Sequence, residues 1–571
     1  MTAVAAAPHT SHHAPGAEAG MLWRQTRHEL VTLVRTPITL ILSIGLPLLF
    51  FVLLSALIGN QVLDETNGVR LVQYLAPGMA SFGVVMATFS FLAVGLAEAR
   101  ATGVVKRQAG SPAPRWVLIG GRMGAALVLG LTSTALVITA GVLFYDLIVP
   151  SRSVAAIVVT LVVASACFSA LGLALAMALP TMQLTLAVSN GVVIPLAFIS
   201  DMFMVGGQMP PWLATIGWLF PLKHLTALFA DALNPYLTGS GFELDHLAVI
   251  VLWGLAGAIV ATALLRRDRD RDTSLGSGAG ADAHTRARSA DAVPRRTAAP
   301  SLGALLLDQV RHAQSILWRD ASAVFFAVAF PVVLVAIIPA VNGGGDQIMS
   351  NGLSLGTFYA ATMAVYGAAV TAYVNMPQGV AEDRERGVLK RTGGTPLPAN
   401  ALIVGRVAGA LGVSLVTGLA IAVLAGLAYR PGWPSGMPAA VVTLVIATVC
   451  FAVVGLAVMT FVRSAQAVVG VTLGTLLPLA FISDIFVVGA SFPPVVEAIS
   501  WLFPLRHAAR AMTESIAPAS SGLAWGHLAV LLAWTLAGAV VLVLRYRPEA
   551  RESGHTAGRR NLPQTARTSS R

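Results

Sequence analysis

Two stretches of this 571-residue chain carry acids and bases in the same order. EARATGVVKRQAGSPAP begins at Glu98 and EDRERGVLKRTGGTPLP at Glu382, an offset of 284. Glu98, Arg100, Gly103, Lys106 and Arg107 therefore correspond to Glu382, Arg384, Gly387, Lys390 and Arg391. The second copy adds Asp383, Glu385 and Arg386 where the first has Ala99, Ala101 and Thr102. Charge this dense at the end of an apolar run predicts a short solvated helix, broken by the glycine and by the prolines that close each block. A topology signal needs only the basic residues. Acids and bases kept together in fixed order point instead to docking onto another protein.

A second pair of blocks is apolar and rich in proline. PLAFISDMFMVGGQMPPWLATIGWLFPLKH at 195–224 and PLAFISDIFVVGASFPPVVEAISWLFPLRH at 478–507 agree at 19 of 30 positions. Asp201, Gly206, Pro210, Pro211 and His224 recur as Asp484, Gly489, Pro493, Pro494 and His507. Repeated prolines cannot continue a helix, so each block predicts short helices dipping into the outer leaflet. Asp201 and Asp484 fit either an ion site or the cap of the short helix that follows. His224 and His507 fit satisfaction by nearby polar groups. Elsewhere no clustered acids, metal-spaced histidines or nucleophile motif occurs, so no catalytic residue and no metal site is assigned. His9, His12 and His13 fit either metal binding or, in preference, a disordered Ala- and Gly-rich tail, while Cys167 and Cys450 sit in apolar runs as small packing residues.

The elements that position these blocks follow from composition. The chain is 56% hydrophobic and 11% charged, with mean hydropathy +0.76, against about 25% charged in a soluble domain. Apolar runs reach the roughly 20 residues that a helix needs to cross a bilayer, and no alternating ten-residue strands occur. The fold class is all-α and polytopic, with about twelve spans. In the first half they are expected near 37–59, 74–97, 118–144, 154–179, 184–200 and 245–265. Their repeats are expected near 321–341, 357–380, 402–428, 438–461, 467–483 and 525–545. An even number of spans per copy makes the two six-span units parallel.

The domains read as a disordered tail at 1–20, a first unit at 21–265, a disordered linker at 266–300, a second unit at 301–545 and a basic tail at 546–571. Residues 1–20 lack the basic and apolar regions of a signal peptide. Arginines before the first span, after the second and after the sixth make those sides, and both termini, cytoplasmic. The same positive-inside bias accounts for the net charge of +11, so nucleic acid is not an expected partner. The basic C-terminal tail is expected to touch anionic lipid.

Before each first span lies an amphipathic segment. In MLWRQTRHELVTLVRT from Met21, one face carries Leu22, Trp23, Leu30, Leu33 and Val34 and the other Arg24, His28 and Arg35, as in a helix lying in the interface. Its counterpart ending at Asp320 keeps Arg311, His312 and Arg319 but has Gln314 in place of Leu30. It reads equally as a topology anchor or as a force-transmitting element.

Interfacial helix, two spans, a Glu-Arg-Gly-Lys-Arg loop closed by Ser-Pro or Thr-Pro, three spans with a broken external hairpin, and a last span: this order resembles the ABC-2 type permeases, once per half. The family includes antibiotic, multidrug, lipid and polysaccharide exporters. The resemblance implies that 98–114 and 382–398 are coupling helices seated on two copies of an ABC ATPase, with cargo crossing the plasma membrane at the seam of the halves. The chain has no G-x-x-x-x-G-K-[ST]. It is therefore expected to bind no cofactor itself, ATP and magnesium belonging to the partner ATPase. Near absence of charge in the spans fits a hydrophobic or amphipathic cargo, whose identity and contact residues stay unassigned. The alternative is a twelve-span proton-coupled secondary transporter, for which intramembrane acids and bases are too few. A membrane-embedded enzyme is a weaker alternative.

Overall fold

Ten helical elements in the first half recur in order in the second. They are α1 (Pro15–Val34), α2 (residues 37–58), α3 (Leu71–Ala101), α4 (Val104–Ala109), α5 (Arg115–Tyr145), α6 (Ser153–Ala178), α7 (Met182–Ile199), α8 (Pro211–Leu219), α9 (Pro221–Leu233) and α10 (Leu244–Gly278). The second set is α11 (Leu302–Arg319), α12 (Ala321–Val341), α13 (Leu355–Glu385), α14 (Val388–Gly393), α15 (Ala399–Tyr429), α16 (Met437–Met459), α17 (Ala465–Ile482), α18 (Pro494–Leu502), α19 (Pro504–Ile516) and α20 (Trp525–Arg545). The structure, a computed structural model, describes residues 15–278 and 302–545 apart from 65–68, 112, 204–208, 238, 240, 343, 394–398, 430–435, 487–491 and 519–521. Among the described residues, eleven helices are long and apolar enough to cross a membrane, and a shorter apolar helix, Ile41–Ala56, forms most of α2. With α2 the count is six per half, at the positions read from the sequence. Among the described residues a small ribbon, where β1 (Val62–Asp64) pairs antiparallel with β2 (Val69–Arg70), and an isolated bridge between Ile348 and Ser354 depart from all-α structure.

Two boundaries and one packing face differ from expectation. Helix α1 starts at Pro15, inside the stretch read as tail, because Glu18 and the alanines around it are good helix formers. Helix α10 runs to Gly278, past the expected end at 265, and its polar extension carries the arginines read as the start of a linker. Trp23 and Val34 of α1 are exposed, whereas Gln25, Thr26 and Glu29 face the chain. That inner face packs on α5 where Gly121 and Gly124 remove side chains, and a Cβ on Gly124 would meet Thr26 Oγ1 at 2.9 Å. The rest of the expected linker and the expected tails, 1–14 and 546–571, lie outside the described residues, as do Pro112, Gly206, Gly489 and the turn at 395–398.

Four π-helical turns interrupt the first two spans of each half, at Ile41–Gly45 and Met86–Phe91 and again at Phe325–Ala329 and Val370–Asn375. The offset is 284 in both cases, although the sequences ILSIG and FFAVA share little. Pro47, Pro331 and Pro377 stand two residues past the first, third and fourth. A proline ring collides with the carbonyl four residues back in a regular helix, and widening the turn relieves that clash. At the second and fourth, a glycine of the facing span approaches the π carbonyls. A Cβ on Gly172 would stand 2.7 Å from Phe89 O, and one on Gly455 would stand 2.9 Å from Tyr373 O.

Helices α3 and α13 are almost wholly buried and form the axis of each half. The halves meet where α2 packs on α17 and α7 packs on α12, the same pairing taken in opposite order. That reciprocity is the two-fold relation that parallel repeats require. It leaves α4 and α14 together on one face of the bundle, the loop face.

Candidate functional site

On the loop face, α3 and α13 end in glycine. Gly103 and Gly387 have φ of +72° and +68°, conformations that only glycine adopts without strain, and they turn the chain into α4 and α14. Behind the turn, Arg100 donates to Ala176 O at 2.6 Å and Arg384 to Val462 O and Arg463 O at 2.8 and 2.9 Å. Both arginines thus bind carbonyls at the end of the fourth span of their half. Glu385 accepts from the Ala465 amide at 2.8 Å, covering an orphan donor at the start of α17. Asp383 pairs with Arg406 of α15, and Glu382 pairs with Arg386 at 3.1 Å. Much of the mixed charge in the second block is therefore used inside the chain. What both copies present outward is Glu98, Lys106 and Arg107 on one side and Glu385, Arg386, Lys390 and Arg391 on the other, a surface with basic tips.

The opposite face carries the hairpins. Pro210 and Pro493 precede α8 and α18, and Pro211 and Pro494 take the first helical position, where a missing N–H is harmless. Phe220 and Phe503 then sit before Pro221 and Pro504 in extended backbone, as residues before proline must. The result is a bend of 93° between α8 and α9. Asp201 and Asp484 do not cap α8 or α18, contrary to one sequence expectation. Each adopts φ of +58° just past the end of its span, a left-handed conformation that Asp tolerates. Their carboxylates are taken by bases of the second arm, Asp201 by Lys223 at 3.1 Å and Asp484 by Arg510 at 2.6 Å and Arg506 at 3.7 Å. Lys223 and Arg506 in turn lie over Trp218 and Trp501 of the first arm, at 5.1 and 4.4 Å from the rings. Each hairpin is stapled shut by Asp, a cation and Trp. Among the described residues no cluster of three or more metal-ligating side chains occurs.

His224 and His507 are satisfied, but by partners that sequence reasoning did not pair with them. Nε2 of His224 donates to Trp218 O at 2.9 Å, and its Nδ1 faces Nδ1 of His246 on α10, also at 2.9 Å. In the second half His507 binds Trp501 O at 2.8 Å and His527 on α20 at 2.9 Å. Since Nε2 carries the hydrogen of His224 and of His507, the bond between the rings is donated by His246 and His527. The recurrence of a histidine just inside the last span of each half was the available signal.

Between the halves the side chains are aromatic. Phe50 of α2 meets Phe481 of α17 at 4.4 Å, and Phe50 and Phe82 meet Phe203 at 5.8 and 5.2 Å. Across the axis Phe486 packs on Phe481 and on Tyr366, each at 5.0 Å. Tyr359 Oη donates to Phe486 O at 3.3 Å. Within the first half an apolar groove of about 330 Å³ opens between α3, α6, α7, α9 and α10, with Phe89, Phe168, Phe220 and Trp253 in its wall.

The family model described as ABC-2 type transporter matches residues 21–233 and 309–516, once in each half. The chain is similar to the inner membrane transport permease YadH of Escherichia coli strain K12, 23% identical over 209 residues that make up 36% of this chain and 79% of the relative. Proteins of the same name from Escherichia coli O157:H7 and Shigella flexneri match to the same extent.

Proposed function

The chain belongs to the ABC-2 type transporter family, and on that premise we propose that it moves a hydrophobic or amphipathic cargo, an antibiotic, drug or lipid-like molecule, out of the cytoplasm using ATP hydrolysed by a separate subunit. It is a multi-pass permease of the plasma membrane, a transporter subunit rather than a catalytic enzyme. The loop face is cytoplasmic, by the arginines that flank the spans there. Two copies of one ABC ATPase seat on α4 and α14, and ATP and magnesium are held by those copies. Their closure rocks one half against the other, and cargo passes at the aromatic seam.

One observation carries the reading: two loop helices of like shape, each launched by a left-handed glycine, present basic tips on the same face. The lack of charge along the seam supports an apolar cargo, since a small charged one needs compensating groups. The test is purification with the candidate ATPase and light scattering of the complex. One permease chain to two ATPase chains is expected, and any other ratio sinks the stoichiometry. In liposomes, Arg107→Glu with Arg391→Glu is expected to uncouple ATP hydrolysis from the permease. Unchanged coupling removes these loops from the mechanism, and proton-driven uptake by the chain alone refutes the reading outright.

A further inference from the structure

The arginine at the loop-face end of the third span is common to both halves, Arg122 on α5 and Arg406 on α15, but the acid that holds it comes from a different element in each. Nε of Arg122 donates to Glu29 of the interfacial helix α1 at 3.2 Å, and Nη2 donates to Gln108 of the loop helix α4 at 3.4 Å. Gln25, one turn before Glu29, donates to the same carboxylate oxygen at 2.9 Å. Arg406 pairs instead with Asp383 at the end of α13. The position equivalent to Glu29 is Ala313, and the position equivalent to Asp383 is Ala99; both alanines are buried. Each half therefore keeps one acid for its arginine and places alanine at the other site. Glu385, which ties α13 to α17, is likewise replaced in the first half by Ala101.

Buried guanidinium groups need a carboxylate or equivalent partner, so each pair fixes which elements move as one body. In the second half the end of α13 is bound to α15 through Arg406, to the loop after α16 through Arg384 and to α17 through Glu385. In the first half Arg122 joins α5 to α1 and α4, while Arg100 keeps the tie to α6. We infer that Arg122 and Arg406 are positioning residues that set where the motion of each loop helix enters the membrane. The stroke at α14 passes directly into the spans α15, α16 and α17, whereas the stroke at α4 is shared through Arg122 between the span α5 and the interfacial helix α1. The two ATPase seats are thus mechanically unequal. This rests on the reading that α4 and α14 seat an ATPase.

The pairs can be exchanged. Asp383→Ala with Ala313→Glu gives the second half the arrangement of the first, and Glu29→Ala with Ala99→Asp does the reverse; the two double variants guard against either one misfolding. Hydrogen exchange of the full chain in nanodiscs, read by mass spectrometry, needs no ATPase. Asp383→Ala is expected to speed exchange in 376–393 by on the order of tenfold and leave α11 unchanged. Adding Ala313→Glu slows α11 without restoring 376–393. Glu29→Ala speeds α1 and leaves 92–101 unchanged. With the ATPase bound, Asp383→Ala lowers permease-dependent ATP hydrolysis more than Glu29→Ala, and Asp383→Glu recovers it. If Glu29→Ala and Asp383→Ala loosen equivalent elements, or if Ala313→Glu leaves α11 unchanged, the unequal routes are wrong. If no ATPase binds, the proposed function falls while the exchange data still decide the routes.

Discussion

Neutralising the aspartate of each hairpin is expected to cost very different amounts. Asn is the substitution to use, because it keeps the shape and tolerates the left-handed backbone at φ +58°, so only charge is lost. The Asp484 side chain is 9% exposed and serves Arg506, itself 4% exposed. Taking away its charge strands a buried guanidinium, and breaking such a pair costs roughly 3–5 kcal/mol. Arg510 still has a hydrogen bond to Asn and is 43% exposed, and Glu497 stands 3.8 Å from Arg506. The expected cost of Asp484→Asn is therefore about 2–3 kcal/mol, at or below the low end of that range. Asp201 is 53% exposed, which places Asp201→Asn with solvent-screened pairs, below about 1 kcal/mol. Unfolding in mixed micelles by titration with dodecyl sulfate, followed by tryptophan fluorescence, measures both. Replacing the stranded cation as well, Asp484→Asn with Arg506→Met, is expected to recover part of the loss, as apolar replacements of buried pairs do. Equal costs for the two aspartates, or no recovery on adding Arg506→Met, refute the reasoning.

The close approach of α6 and α16 to the π turns gives a second expectation. Gly172→Ala and Gly455→Ala force a Cβ against backbone oxygen and should destabilise by about 1–3 kcal/mol each, whereas Gly474→Ala, with open space around it, should be neutral or slightly stabilising in the same titration. His527→Phe keeps the stack on Trp501 but strands Nδ1 of His507 and removes the Nε2 bond to Glu514 at 3.2 Å, and is expected to cost about 1–2 kcal/mol; a stabilised variant contradicts the assigned bond. Arg70→Ala breaks an exposed 2.8 Å pair with Asp146 and should change stability by less than about 1 kcal/mol, with a larger loss showing that the β1–β2 ribbon depends on it.

The sequence states the spans, the hairpins and the duplication openly because each rests on local chemistry: apolar length, proline placement and glycine at a left-handed turn. Partner choice is another matter. Arg100 and Arg384 align perfectly as charged loop residues, yet each serves a carbonyl near the end of the fourth span, far along the chain. The π turns are hidden for a related reason, since Met86–Phe91 has no proline behind it and its widening accompanies the approach of Gly172 from another helix. Periodicity alone does not show what α1 packs on: Leu22, Leu30 and Leu33 are half-buried together with Gln25, Thr26 and Glu29 on a face that meets glycines, while Trp23 is exposed. Lipid as the surrounding solvent removes the usual rule that apolar side chains point inward.

The exchange of acids around Arg122 and Arg406 bears on why the two units share one chain. Were a single unit to pair with itself, residues equivalent to Glu29 and Asp383 would be present or absent in both copies at once. With neither acid, each arginine would lack its carboxylate; with both, two carboxylates would crowd one guanidinium, and the second would have to be solvated or protonated. A fused chain escapes the choice, because Ala313 and Ala99 can each be tolerated opposite an arginine that is already held from the other side. The hairpins follow the same pattern, with a half-exposed Asp201 on lysine in one copy and a buried Asp484 between two arginines in the other. Both differences make the second half the more tightly bound of the two, at the loop face and at the hairpin face together. A half that is stiff at both ends moves as a rigid body, and one tied to an interfacial helix can yield. On the proposed mechanism, rocking of a stiff half against a compliant one needs no symmetry between the strokes that drive it.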